Sequence, residues 1–219
     1  MILVAEGPSA AGKTTWVARW PARHVVPETG RVQLPGASER EEVTRLLVDL
    51  NCAKWALAIA AEHAAGIAIC DGDPLKLHYD YSLARVGKGS WDQFWASVQA
   101  SRSAISQKRL GIADLIVCHV PDETTLDRHQ RSDPSRARRN FDTHRTLGPA
   151  LADWYRTLER IDPNRVAWGF PAHLPNRALR PRFDLTLFDE WMRSLPALSN
   201  PTRREQPRDA TNSDTEPSG

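Results

Sequence analysis

Gly7-Pro8-Ser9-Ala10-Ala11-Gly12-Lys13-Thr14 lies between the apolar run Ile2-Leu3-Val4-Ala5 and a helical pattern from Thr14 to Trp20, so that a strand, a glycine loop and a helix follow one another. The spacing G-x-x-x-x-G-K-T has a mechanical meaning. A backbone that wraps closely around a polyphosphate needs glycine where a Cβ would obstruct the turn, at Gly7 and Gly12. The successive N–H groups of Ser9, Ala10, Ala11, Gly12, Lys13, Thr14 and Thr15 can then point inward. The helix that opens there turns its unpaired N–H groups and the positive end of its dipole toward the same anion. Lys13 adds a mobile positive charge for the outer phosphates, and Thr14 a hydroxyl for a magnesium ion. A glycine turn with a surface lysine is the alternative. The strand pattern before the loop and the helix pattern after it favour phosphate binding.

Downstream, Pro21 stops the first helix, and His24-Val25-Val26-Pro27 reads as a second strand with Glu28 at its exit. The carboxyl ends of parallel strands are where α/β proteins place their chemistry. A loop from Gly30 to Ser38 leads into a long helix over Glu39 to Ala65, on which Trp55 reads as a core residue rather than a cleft wall. Gly66 to Cys70 is a continuous apolar run, as expected of a strand buried on both faces, and it ends in Asp71-Gly72-Asp73-Pro74. Beside a phosphate loop, Asp71 is a natural magnesium partner or proton acceptor. Asp73 fits a functional role and a turn role equally well.

Leu75 to Gly89 is a mixed segment containing Lys76, His78, Tyr79, Tyr81 and Arg85. A helix from Trp91 to about Leu110 follows, with Trp91 and Trp95 on one face, and then a buried strand over Asp114 to Val120. From a helix starting near Glu123, positive charge gathers at Arg128, Arg131, Arg136, Arg138 and Arg139. Clustered guanidinium groups can close over phosphates as a lid, about residues 128–142, although a solvated basic face or a nucleic-acid patch has the same composition. Thr143 to Arg160 reads as one helix, Arg165 to Trp168 as a last strand and Phe183 to Leu195 as a terminal helix.

With 219 residues, the chain suits one α/β domain over residues 1–195 and a polar, disordered tail over 196–219. A net charge of +2 does not mark a nucleic-acid binder, and none is expected as a partner. Cys52, Cys70 and Cys118 are odd in number and far apart, which fits buried thiols in a reducing cytoplasm rather than a disulfide framework. No apolar run reaches the roughly 18 residues of a membrane span, and the start of the chain carries no basic leader pattern.

The succession of strand, phosphate loop, strand ending in Glu28, strand ending in Asp71 and arginine-rich segment resembles the P-loop kinases of nucleosides and nucleotides. Val25-Val26-Pro27-Glu28 resembles the second-strand end of deoxynucleoside kinases, and Asp71-Gly72-Asp73 the D-x-D of ribosylnicotinamide kinase-like ATPases. Two positions depart from the pattern. Ala10 stands where many such kinases have glycine, and Gly72 replaces the arginine that follows the acid in deoxynucleoside and thymidylate kinases.

The resemblance implies a three-layer P-loop fold with a mostly parallel five-stranded sheet, helices on both faces and an arginine-rich lid. It implies ATP and Mg2+ as cofactors and a small-molecule phosphoryl acceptor, with Glu28 as base. Lys13 and the loop would hold the phosphates, Thr14 and Asp71 the metal, and Arg128, Arg131, Arg136 and Arg138 would close on the phosphates. A hydroxylated antibiotic as acceptor, or an ATP-hydrolysing switch acting on a protein partner, fits the same motifs.

Overall fold

The computed structural model describes residues 1–28, 40–132, 141–176 and 179–196. The middle of the expected lid, with Arg136 and Arg138, and the tail beyond residue 196 lie outside the described residues. Three strands, β1 (Ile2–Glu6), β3 (Ala68–Asp71) and β4 (Leu115–Cys118), are buried at every residue. This is the outcome their continuous apolar sequences require, since central parallel strands meet packing on both faces. Two shorter strands, β2 (Val25–Val26) and β5 (Val166–Trp168), form the edges. The order is β2-β3-β1-β4-β5, and every pairing among the described residues is parallel. The sheet is thus more uniform than the mostly parallel arrangement expected.

Strand alternation sorts the side chains into two cores. On one face Ile2, Val4, Ala68, Cys70, Ile116 and Cys118 pack under α2 (Arg40–Ala65), α3 (Leu77–Arg85), α4 (Trp91–Ser106), α7 (Gly148–Ile161) and α8 (Leu185–Ser194). On the other face Leu3, Ala5, Ile69 and Val117 meet Trp16 and Val17 of the short helix α1 (Lys13–Val17). The segment after β5 completes that cover: Trp16 stacks on Phe170 at 5.3 Å and donates its indole N–H to the Pro171 carbonyl. The helical layers are therefore very unequal. The larger core centres on aromatic rings, with Trp154 and Trp191 at 4.7 Å and Tyr81 and Phe94 beside Trp154. Trp55 is buried against Phe183 and the face of Gly111, in agreement with its core reading. All three cysteines are buried and free.

Two local expectations need correction. The helix expected over Thr143 to Arg160 is two helices, α6 (Phe141–Arg145) and α7, because Pro149 has no N–H to continue a helix and sits naturally in a first turn. The mixed segment Leu75 to Gly89 contains α3, which starts after Lys76 in the left-handed region with no side-chain cap, so the usual start signal is missing. Beyond β4 the chain forms α5 (Glu123–Arg131), whose Leu126 packs with Phe141 of α6 on Ala11 of the phosphate loop. No helix among the described residues is long and apolar enough to cross a membrane.

Candidate active site

The chain runs from β1 out to the edge strand β2, returns to β3 beside β1, and crosses to β4 on the other side. The loop after β1 therefore lies at the point where the sheet reverses direction, the crevice where open α/β sheets bind ligands. Register places Ala5 beside Asp71 and Glu6 beside Cys118, so the exits of β1, β3 and β4 sit side by side.

Gly7 is the tightest point of the loop. A Cβ there would strike the His119 backbone carbonyl at the exit of β4 and press on Ala11. Gly12 turns the chain into α1 at φ 89°. Ala10, at φ 69°, presents its carbonyl to the His129 ring at 3.0 Å. Ser9 is half-buried, Ala11 buried and Thr15 exposed. The Lys13 ammonium curls over the loop and donates to the carbonyls of Gly7 and Pro8, at 2.5 and 3.1 Å.

Thr14 Oγ1 donates to Asp71 Oδ2 at 2.8 Å, so two residues 57 positions apart meet at the expected metal position. Asp71 is 3% exposed, and its other oxygen, Oδ1, is buried with no hydrogen-bond partner among the described residues. Burial pushes the Asp71 carboxyl up. The Thr14 hydrogen bond pulls it down, the Glu28 charge adds to the rise, and Lys13 and Lys54 oppose it. Glu28 is exposed at the exit of β2, near enough for its charge to act on both Asp71 and His144 of α6. His144 is within 3.1 Å of the Tyr79 hydroxyl, and burial and the nearby Lys13 lower its pKa.

Arg128 and Arg131 are exposed and share one face of α5 with Thr124 and Asp127, around a recess of about 250 Å³. Leu126 and His129 face the phosphate loop from the other side of the helix. The structure thus brings His129, not the two arginines, against the loop. An ion pair from Arg145 to Asp127 at 3.3 Å links α6 to α5.

Several charged residues at the site were not singled out by sequence reasoning. Glu6, the last residue of β1, is 4% exposed. It accepts the N–H of Gly7 at 2.8 Å and that of Asp73 at 2.9 Å, and lies 3.8 Å from Lys13 and 3.5 Å from His78. Burial alone would raise its pKa. His78, Lys13 and the two N–H donors outweigh burial and hold it at about 2. Burial also lowers the His78 pKa; even with that ring neutral, Lys13 and the two N–H groups remain to keep Glu6 ionised.

Asp73 is buried and accepts from the Leu75 N–H and the Tyr155 hydroxyl, at 2.9 and 3.0 Å. It shapes the turn after β3 and belongs to the Glu6 network. Lys54 of α2 reaches the carbonyl of Asp71. The signal for Glu6 was available, a carboxylate closing a buried strand at the loop. Lys54 shows only as a charge on the apolar stripe of a helix.

No protein-family model and no curated protein sequence matches the chain. Among solved structures, a deoxyadenosine kinase from M. mycoides with products dCMP and a flexible dCDP bound is similar at 11% identity and a TM-score of 0.53. The match covers 89% of this chain and 98% of that one. The same enzyme with bound dATP aligns over 77% of this chain and 90% of that one, at 11% identity and a TM-score of 0.45. At 11% identity the likeness of the first structure is one of fold, and the chain has the α/β fold of a deoxynucleoside kinase.

Proposed function

We propose that the protein is an ATP-dependent phosphotransferase that moves the γ-phosphoryl group of ATP to a hydroxyl or phosphate oxygen of a small molecule, a nucleoside or nucleotide in the first instance. One observation carries this reading. Thr14, at the start of the helix that follows the phosphate loop, meets Asp71 at 2.8 Å, and the other oxygen of that carboxylate is buried with no hydrogen-bond partner among the described residues. A hydroxyl and a carboxylate oxygen are hard ligands that suit Mg2+, which binds through one or two protein groups and completes its shell with phosphate oxygens and water. The residues fit that ion: Thr14 and Asp71 would hold it, and it would neutralise charge on the β- and γ-phosphates.

The remaining work is alignment and charge. The loop N–H groups and Lys13 bind the phosphates, and Glu28 at the exit of β2 orients the acceptor hydroxyl and takes its proton. The bond from the γ-phosphorus to the bridging oxygen breaks, its electron pair stays on ADP, and the acceptor oxygen bonds to phosphorus. Arg128 and Arg131 reach the phosphates only if α5 turns about its Leu126 anchor, and with Arg136 and Arg138 they would then form the lid. The structural neighbour, a deoxyadenosine kinase holding dCMP and dCDP, supports a nucleoside-sized acceptor.

The test is transfer of label from γ-labelled ATP with Mg2+ to a panel of nucleosides, nucleoside monophosphates, ribosylnicotinamide and hydroxylated antibiotics. A labelled acceptor that disappears with Lys13→Ala establishes the reaction and its substrate class. Label released only to water points instead to an ATP-hydrolysing switch.

A further inference from the structure

Lys54 lies on α2 with 6% of its surface exposed, and its ammonium donates to the backbone carbonyl of Asp71 at 2.5 Å. That is its one hydrogen bond among the described residues, so two of its three donors have no partner among them. No carboxylate of the described residues lies within ion-pairing distance of it, although Glu6 and Asp71 are near enough to act on it. Taking an ammonium out of water with a single neutral partner is costly. A methionine or leucine on the same stripe would pack without that cost.

Position also sets this lysine apart. Gly72, at φ 82°, lies at the exit of β3, where a Cβ would be in van der Waals contact with the Lys54 ammonium at 3.6 Å and Glu6 Oε2 at 3.7 Å. The ammonium therefore lies beside position 72, one residue beyond the carboxylate paired with Thr14. Position 72 carries no cation of its own, and α2, packed against β3, supplies one. Lys76, in the turn before α3, adds a second positive charge close enough to act on Lys54. A buried, underused cation backed by another cation is arranged to receive an anion.

We propose that Lys54 is the cation of the acceptor side of the site, binding an oxygen of the phosphoryl group as it passes from ATP to the acceptor. This rests on the phosphotransferase reading above. Lys54 neither gives nor takes a proton; it neutralises charge on the transferring group together with Lys13 while Glu28 receives the acceptor proton.

Inorganic phosphate, bound to protein already saturated with ADP and Mg2+, mimics the group in flight and requires no knowledge of the acceptor. Calorimetric titration should show ADP binding to wild type and to Lys54→Met alike. Phosphate binding to the ADP complex should weaken at least about tenfold in Lys54→Met, and recover in Lys54→Arg, as expected when one charge-assisted contact is lost. Lys54→Met should melt no lower than wild type, because the substitution removes an underpaired buried charge. If Lys54→Met fails to fold, Lys54→Gln removes the charge while keeping an N–H donor, and the same loss of phosphate is expected. Equal phosphate affinity in the neutral variants overturns the proposal, as does a wild-type ADP complex that takes up no phosphate. A lower melting temperature with phosphate binding intact makes Lys54 a structural tie for the turn after β3. Failure of the wild type to bind ADP instead breaks the phosphate-loop reading, a separate result.

Discussion

Lys13, Thr14 and Asp71 converge because a local motif and a strand end are brought together by pairing of β1 with β3, and their substitutions should separate by role. Lys13→Ala removes the charge proposed above for the outer phosphates and should weaken ATP binding by about 100-fold, read by titration with a fluorescent ATP analogue. Glu28→Gln leaves the loop untouched. It should keep ATP affinity and lower kcat by about 10²–10⁴, the range for a general base, and an unchanged kcat would remove Glu28 from that role. The loop and Asp71 were legible because their chemistry is written in contiguous residues. Glu6 and Lys54 were not, because each acquires its meaning from a partner set by register or helix packing. His78 meets Glu6 across 72 positions, and Lys54 meets the Asp71 carbonyl across the gap between α2 and β3.

Helix α5 is the element whose orientation decides whether arginines take part. Its hold on the phosphate loop consists of Leu126, 1% exposed, with Phe141 and Ala11, and the His129 contact to Ala10. Leu126→Ala should cost about 2–3 kcal/mol of local packing, at the lower end of the usual range for a buried leucine because the cluster is small. Circular dichroism should then show the sheet domain intact while kcat falls. Arg131→Ala gives the complementary result: kcat should fall with the melting temperature unchanged if α5 turns during the cycle. An unchanged kcat would leave Arg131 on the solvent face where the structure places it. Element types were legible where periodicity was long, as in α2 and the three buried strands. They were missed where a single residue decides, as Pro149 does between α6 and α7 and Lys76 does before α3.

At the scale of the whole molecule, one buried charge network among the described residues lies under the phosphate loop around Glu6, and another lies at the opposite end of the sheet around Asp114 and Arg182. There Asp114, fully buried before β4, accepts the Ile2 N–H at 2.7 Å and two N–H groups of Arg182, which also grips both oxygens of Glu62 at 2.6 Å. Arg182→Ala would strand Asp114 and should cost about 3 kcal/mol, as breaking one side of a buried pair does. The Arg182 hydrogen bonds, against a smaller opposing effect of burial, hold the Glu62 carboxyl at about 2, and the N-terminal ammonium helps. Glu6 at the other end is held at about 2 as well. A carboxylate whose folded pKa lies below its unfolded value contributes stability that is complete above the unfolded pKa and disappears as pH falls through the folded one. Both glutamates therefore predict a melting temperature that drops steeply from about pH 4.5 toward pH 2. Burial raises the pKa of Asp71, Asp73 and Asp80, and those groups work the other way, favouring the folded state where they are protonated. Glu62→Gln isolates one contribution: it should lower stability at pH 7, flatten the decline between pH 4.5 and 2, and leave ATP affinity at pH 7 unchanged. A slope identical to wild type would mean that Glu62 is not a source of the acid sensitivity, and the carboxylate to examine would then be Glu6 beneath the phosphate loop.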